Sequence, residues 1–331
     1  MRALFLAATL ALTLPVAACS KDKKEEASAD KDGKDGKSSG KKKSGGYARG
    51  EVLSHVPKSC KSGRIYVDVA GILRSDAILA SADVLEEKLA SMGKSSGDKK
   101  AKKGLDALKK AGLDPTHDVK EVAICAGVDK NDMTIVVGGD FAGKDPLDAI
   151  AKASEAAGED EPKVKEVDGV KYLKAGKAFL GLVAPNVLVF AADRDSFSDL
   201  AKENDQSSAW GAGKSKLIAF KGKDKKAGEF EGSLEEKGED LVAKLVLDVK
   251  GLDEKGSSSA VKKQLEATAE QLGKKLKGPF KKLGDAVAET KFEVDGDTVT
   301  VKISVPSSDL ADVIKKLAAM EEKDLKETVD L

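Results

Sequence analysis

Two histidines, three cysteines and a few short glycine-serine runs are what this sequence offers for chemistry, and their spacing limits what they can do. His117 stands in Asp114-Pro115-Thr116-His117-Asp118, beside an acid, as an imidazole held near neutrality for general-base work would. No second acid or nucleophile pairs with it by spacing, so it reads as an exposed loop histidine. His55 is isolated. Gly213-Lys214-Ser215 ends like a phosphate-binding loop, but Ser208 stands where the first glycine is required. Its context is also reversed, with a helix before it and a strand after, whereas a phosphate cradle needs strand, loop, then helix. Gly93-Lys94-Ser95-Ser96-Gly97 and Gly36-Lys37-Ser38-Ser39-Gly40 both satisfy G-x-S-x-G. A nucleophile elbow must follow a strand, and neither serine does. Gly138-Gly139-Asp140-Phe141 reads as a strand end whose glycines allow a tight exit. Asp30, Asp32 and Asp35 are spaced like calcium ligands, yet Lys34 occupies a position where an oxygen is needed. No catalytic, cofactor-binding or metal-ligating set follows from these residues, and a non-catalytic protein is expected.

Composition narrows the classes further. The 331 residues carry 57 basic and 57 acidic side chains, so the formal charge is zero while 34% of the chain is ionisable. A nucleic-acid binder carries a basic excess, and the arginine suited to bidentate phosphate recognition is limited here to Arg2, Arg49, Arg64, Arg74 and Arg194. At 40% hydrophobic residues the chain has material for real cores.

Arg2 is followed by an apolar run from Ala3 to Val16, too short for a comfortable membrane span and suited to an export signal. Small residues then precede a thiol in Val16-Ala17-Ala18-Cys19. This segment resembles the lipobox of bacterial lipoproteins. The resemblance implies that Cys19 is lipidated and becomes the new N-terminus, anchoring the chain to a membrane of the cell envelope. Ser20 follows, where lipoproteins kept at the inner membrane often carry Asp; by analogy the periplasmic face of the outer membrane is favoured. With Cys19 taken by lipid, Cys60 and Cys125 remain as an even pair in an oxidising compartment, where disulfides persist. Cys60 lies just before the first strand and Cys125 inside the second, points that fall at opposite ends of a ferredoxin-like sheet. A disulfide and a buried free Cys125 both stay open on this reading.

The elements that position these residues come next. Residues 1–18 read as signal peptide and 19–50 as a charged, disordered tether with hardly an apolar side chain. About 30 flexible residues have a reach of roughly 30 Å. A first α+β unit is expected over 51–208 and a second over 209–331. In the first, a β-branched strand over 64–70 leads to a helix capped by Ser75, with Ile78, Leu79, Ala82, Leu85, Leu89 and Met92 on one face. A second helix carries Leu105 and Leu108 and stops at Gly112. Strands over 119–126 and 133–138 form a hairpin, a helix covers 146–157, several strands fill 163–192 and a helix near 196–202 closes the unit. The second unit repeats this order. Leu247-Asp248-Val249-Lys250-Gly251 parallels Val67-Asp68-Val69-Ala70-Gly71, and a long helix with Val261, Leu265, Leu272 and Leu276 is broken at Gly278-Pro279. A hairpin around Asp295-Gly296-Asp297 and a last helix from Asp309 follow. The fold class is therefore α+β: two similar strand, broken helix, hairpin, helix units with mainly antiparallel sheets and helices on one face. Trp210, in a Ser/Gly loop, is either an interface anchor or a ring packed over its own domain edge.

Residues 53 to about 205 also resemble a widespread class of bacterial envelope proteins without an established activity. Val56-Pro57, Val67-Asp68-Val69, Gly112-Leu113-Asp114-Pro115 and Asp168-Gly169-Val170 carry that resemblance. It implies a duplicated α+β fold and supplies no site residues. Together these features point to a membrane-anchored envelope lipoprotein that binds or scaffolds an envelope protein partner, with no cofactor. The alternative is a periplasmic carrier of a lipid or small apolar ligand, for which an apolar pocket of several hundred Å³ is expected. An enzyme with a non-standard site around His117 and Asp114 ranks third.

Overall fold

The strands of this chain are β1 (Gly63–Asp68), β2 (Val119–Ala126), β3 (Met133–Gly139), β4 (Lys165–Val167), β5 (Val170–Ala175), β6 (Ala178–Ala184), β7 (Val187–Ala191), β8 (Lys216–Asp224), β9 (Gly228–Lys237), β10 (Asp240–Asp248), β11 (Lys291–Asp295) and β12 (Thr298–Pro306). The helices are α1 (Val69–Arg74), α2 (Asp76–Leu79), α3 (Asp98–Lys110), α4 (Pro115–Asp118), α5 (Pro146–Ala156), α6 (Phe197–Leu200), α7 (Ser258–Lys275), α8 (Lys281–Ala288) and α9 (Ser307–Ala319). The structure, a computed structural model, describes residues 47–57, 60, 63–84, 98–126, 133–158, 162–175, 178–202, 210, 215–224, 228–249, 251–252 and 257–319. The signal segment, Cys19, the tether, both G-x-S-x-G runs and Gly213-Lys214 lie outside the described residues, as do Leu85, Leu89 and Met92.

The class is α+β. Among the described residues all strands join one sheet in the order β11-β12-β10-β9-β8-β1-β2-β3-β7-β6-β5-β4. Every neighbouring pair is antiparallel. The ladder between β1 and β8 joins the two expected units edge to edge, with Tyr66 opposite Ala219.

The order strand, broken helix, hairpin, helix occurs in both halves, but the pairing differs. After β1 the hairpin docks through its first strand, β2. After β10 it docks through its second strand, β12, leaving β11 at the sheet edge and running in the same direction as β10. Strand β1 ends at Asp68, two residues earlier than the β-branched pattern predicts. The Asp68 carboxylate accepts from the Gly71 N–H at 2.7 Å and starts α1 immediately. Gly71 must be small here, since a Cβ on it would run into the Asp68 carboxylate and Leu217.

In the first half both faces of the sheet are covered. Tyr66, Ala123, Val136, Val189 and Ala219 share one face and pack with Val52 and Leu53 of the N-terminal segment and with Phe197 of α6. On the other face Leu180 and Leu188 pack against Leu108 of α3 and Leu147 of α5, while Val122 and Ile135 pack against Val69 of α1. The helices of at least two turns keep to that second face. The first carries residues 47–57 and the one-turn α6, an exception to helices on one face that the short polar segment around Tyr47 did not announce. In the second half Leu310 of α9 packs with Ala77 and Leu241, and the Ser81 hydroxyl donates to the Ala311 carbonyl at 3.3 Å. Leu79, expected on the apolar face of its helix, is 54% exposed: α2 is a single turn whose buried residue is Ala77.

Candidate functional site

The least exposed charged group among the described residues lies where the N-terminal segment meets the sheet. Glu121, only 1% exposed, sits in β2 beside a bulge between Val119 and Glu121, on the face shared by Ala123 and Cys125. A carboxylate removed from water needs its lone pairs filled. Here the Tyr47 hydroxyl donates at 2.5 Å, the Tyr66 hydroxyl at 2.6 Å and the Gly50 N–H at 2.8 and 3.0 Å to the two oxygens. Gly50 occupies the left-handed region (φ 87°), which glycine adopts without strain and which turns its N–H inward. Arg49 approaches Glu121 to 4.0 Å while pairing with Asp68 at 2.6 Å, and it donates to the Lys216 carbonyl on β8 at 3.1 Å. The Tyr47 N–H donates to Asp140 at 3.2 Å, and the Val52 N–H to the Tyr47 hydroxyl at 3.3 Å. Gly138, directly opposite Glu121 in β3, leaves the slot for the Tyr47 ring, which a Cβ there would strike.

Burial pushes the Glu121 carboxyl above its ordinary range, and the bonds from Tyr47, Tyr66 and Gly50 work against that shift. Burial, reinforced by the neighbouring Glu121 charge, pushes both tyrosine hydroxyls well above theirs. All three donors are held as donors at neutral pH. The carboxylate accepts hydrogen bonds from Tyr47 and Gly50 of one short segment and from Tyr66 of β1, and its burial closes it to a substrate. It acts as a clamp on residues 47–53.

The sequence carries one signal for this node, and it is a strand period with no motif. In Val119-Lys120-Glu121-Val122-Ala123-Ile124-Cys125-Ala126, a period of two puts Glu121 on the same face as Ala123 and Cys125. What fills that face cannot be read from the strand.

The structure brings His117 and Asp114 together on an exposed helix start. The imidazole is 56% exposed, with Nδ1 3.3 Å from Asp114 and 3.0 Å from the Thr116 hydroxyl. Asp114 caps α4, accepting from the Thr116 N–H and hydroxyl at 3.1 and 2.6 Å. Burial alone would raise this carboxyl; the Thr116 bonds and the Lys109 ammonium at 3.3 Å outweigh it and hold it low. His55 is buried and bonds through Nδ1 to the Leu200 carbonyl at 2.7 Å, tying the N-terminal segment to α6. Trp210 packs into the same core cluster as Tyr66 and Phe197, over its own sheet. Asp140-Phe141 closes β3: the Asp140 N–H donates to the Asp118 carbonyl at 2.8 Å and Phe141 enters the core under α5.

Cys60 and Cys125 meet, with Cα atoms 5.5 Å apart and their sulfurs in covalent contact. The expectation that they fall at opposite ends of the sheet does not hold. Strands β1 and β2 are antiparallel neighbours with Arg64 opposite Cys125, so the residues entering β1 lie beside the end of β2.

An open groove of about 470 Å³ runs between α7, α8 and the start of β11. Lys263, Glu266, Glu270 and Glu289 line much of it, unlike the apolar pocket a lipid carrier needs. Among the described residues no three His, Cys, Asp or Glu side chains are placed to hold a metal ion, and no helix is long and apolar enough to cross a membrane.

No protein-family model and no curated protein matches the chain. Among solved structures it is similar to TP0453 in crystal form I, at 12% identity and a TM-score of 0.45 over 82% of this chain and 97% of that one. It is likewise similar to crystal form III of TP0453, at 11% identity and a TM-score of 0.47 over 80% and 97%.

Proposed function

We propose that the chain is an envelope lipoprotein, anchored by lipid on Cys19 at the periplasmic face of the outer membrane, whose folded body is a non-catalytic binding or scaffolding module for another envelope protein. The observation that carries this reading is the clamp at Glu121. It seizes the chain at Tyr47 to Gly50, where the charged segment expected to act as a tether ends, and ties it to β2, β3 and β8 together. A body held at a distance from its anchor needs such a fixed point of attachment. The Cys60–Cys125 pair belongs to the same reading, as a disulfide formed after export that staples the segment following the clamp to β2.

Two experiments test it. Cys19→Ala should abolish palmitate labelling and leave an uncleaved or soluble precursor; a variant that still labels and still sediments with membranes ends the lipoprotein reading. Cross-linking in intact envelopes followed by affinity capture should recover this chain joined to a second envelope protein. Recovery of the monomer alone would count against a scaffold.

A further inference from the structure

The turn between α7 and α8 joins two helices whose backbones touch. Gly273 and Gly284 face each other where the two helices cross, each so close to the other's carbonyl oxygen that a Cβ on either would collide. This backbone-to-backbone contact locks α7 and α8 into a tight hairpin, with residues 276–280 at its tip. Within ten residues the tip carries Lys274, Lys275, Lys277, Lys281 and Lys282. Lys274 pairs with Glu270, and Lys282 with Asp309 and Asp312 at 2.5 and 2.7 Å. Lys275, Lys277 and Lys281 are exposed and form no ion pair with a described residue.

Helix electrostatics accounts for only part of this. Lysines in the last turn of α7 complement the negative end of its dipole, but Lys281 and Lys282 open α8, where the helix end is positive and cations are disfavoured. A 3-10 turn over Gly278–Phe280 leads into α8, and the Lys281 N–H donates to the Gly278 carbonyl, so the positive character of the tip comes from its lysines. Between the lysines stand apolar groups that the core does not take in: Leu272 is 51% exposed, and Leu276, Pro279 and Phe280 are only partly buried.

Ammonium groups interleaved with half-exposed apolar side chains on a rigid tip match the headgroup layer of an anionic bilayer, where the charges meet phosphates and the apolar groups reach the acyl boundary. We infer that the α7–α8 tip is a second membrane contact, docking the folded body on anionic lipid headgroups through Lys275, Lys277, Lys281 and Phe280. This goes beyond the lipid anchor and does not depend on it. A contrasting patch shows what charge alone looks like here. Lys244, Lys302 and Lys291 lie directly opposite one another across β10, β12 and β11, exposed on one face of the sheet, and the two side chains flanking Lys244 along β10, Val242 and Val246, are buried or half-buried.

The test uses the mature chain, residues 19–331 with Cys19→Ser, so that neither the apolar signal segment nor an acyl chain is present, with vesicles of phosphatidylcholine containing one-fifth phosphatidylglycerol. Sedimentation should show partition onto these vesicles at about 0.1 M salt, its loss at about 1 M, and none onto pure phosphatidylcholine. Each lysine at such a surface changes partition about fivefold, so the triple variant Lys275→Gln, Lys277→Gln, Lys281→Gln should lose at least fivefold even with the tether lysines still contributing. These side chains are exposed, so its circular dichroism and melting temperature should match the parent. The same change at Lys244, Lys291 and Lys302 should leave partition unchanged. A Phe280→Trp variant should blue-shift its added fluorescence on anionic vesicles only. A smaller loss in the tip variant, an equal loss in the sheet variant, or no shift at position 280 would each overturn the inference. None of these outcomes bears on palmitate labelling at Cys19, so the anchor stands or falls separately.

Discussion

Strands β2, β3 and β7 are covered on both faces, whereas β11 and β12 are covered on one. The difference is written in their residues: Val119 to Ala126 and Val187 to Ala191 are near-continuous apolar runs, while Lys291 to Asp295 and Thr298 to Pro306 alternate. It decides what a charge means in each place. On the bare face Glu293 and Lys302 stay hydrated and need no partner. Between two covers Glu121 must be satisfied by protein, and besides Tyr66 of β1 the groups that satisfy it come from a segment more than 70 positions away. A buried charge thereby becomes a device for fixing one piece of chain, while an exposed one serves solubility or a partner.

The comparison can be broken or sharpened in four ways. The largest effect is expected at the cysteines. Closing a loop over a sequence separation of 65 stabilises by about 4 kcal/mol on the chain-entropy account. Cys60→Ser with Cys125→Ser should lower the denaturation free energy by roughly that amount. Reductant should bring the parent down to the variant and leave the variant unchanged; intact mass should show the two-proton difference.

Next comes Glu121→Ala, which strands two buried hydroxyls and the Gly50 N–H and should destabilise by about 3 kcal/mol. Trypsin should cut after Arg49 faster in this variant, since Arg49 and its flanking segment are released. Glu293→Ala, the matching change on the bare face, should stay within about 0.5 kcal/mol in the same urea titration. Equal losses at the two sites would erase the distinction between the halves.

The third concerns pH. A carboxyl whose folded pKa lies above its unfolded value binds its proton more tightly when folded. Its contribution is full below the unfolded value and fades as pH rises through the folded one. Glu121 is such a group, through burial. The stability of the parent relative to Glu121→Gln should therefore increase as pH falls from about 7 towards the unfolded carboxylate value of about 4.3. Asp140 has the opposite sign. Its bonds from Tyr47 and Lys120 outweigh burial and lower its pKa, so its contribution is present above the unfolded value and lost as pH falls below about 3.9. A flat difference between parent and Glu121→Gln across that range would contradict the first assignment.

The smallest effect belongs to the lysine row. Lys302 stands between Lys244 and Lys291, and like charges directly opposite one another repel. Lys302→Glu should raise stability by about 0.5 kcal/mol at low salt, an increase that added salt removes.

Several elements were legible along the chain because the signals that make them are local. Asp145-Pro146 caps and opens α5, with its carboxylate accepting from the Asp148 N–H, and the apolar spacing of Leu310 and Val313 marks α9. The β11–β12 turn at Gly296 also follows from sequence, through a positive φ. Strand β9 carries no such local signal. Gly228 to Lys237 carries four glutamates, and its apolar face consists of Phe230, Gly232 and Leu234, with Phe220 filling the space over Gly232 from the next strand. A strand completed by its neighbour's ring leaves little period of its own. The site was harder still, because its donors Tyr47 and Gly50 lie in a stretch with no helical or strand period.

The sequence by itself determined the α+β class, the strand-helix-hairpin-helix order and the antiparallel habit, since hydrophobic period and turn residues act over a few positions. Only the tertiary structure decided which hairpin strand pairs with β1 or β10, that Cys60 reaches Cys125, and that Glu121 closes on Tyr47 and Gly50. Those outcomes depend on which sheet edge is free and what covers each face, and a pattern of period two is the same whichever neighbour it meets.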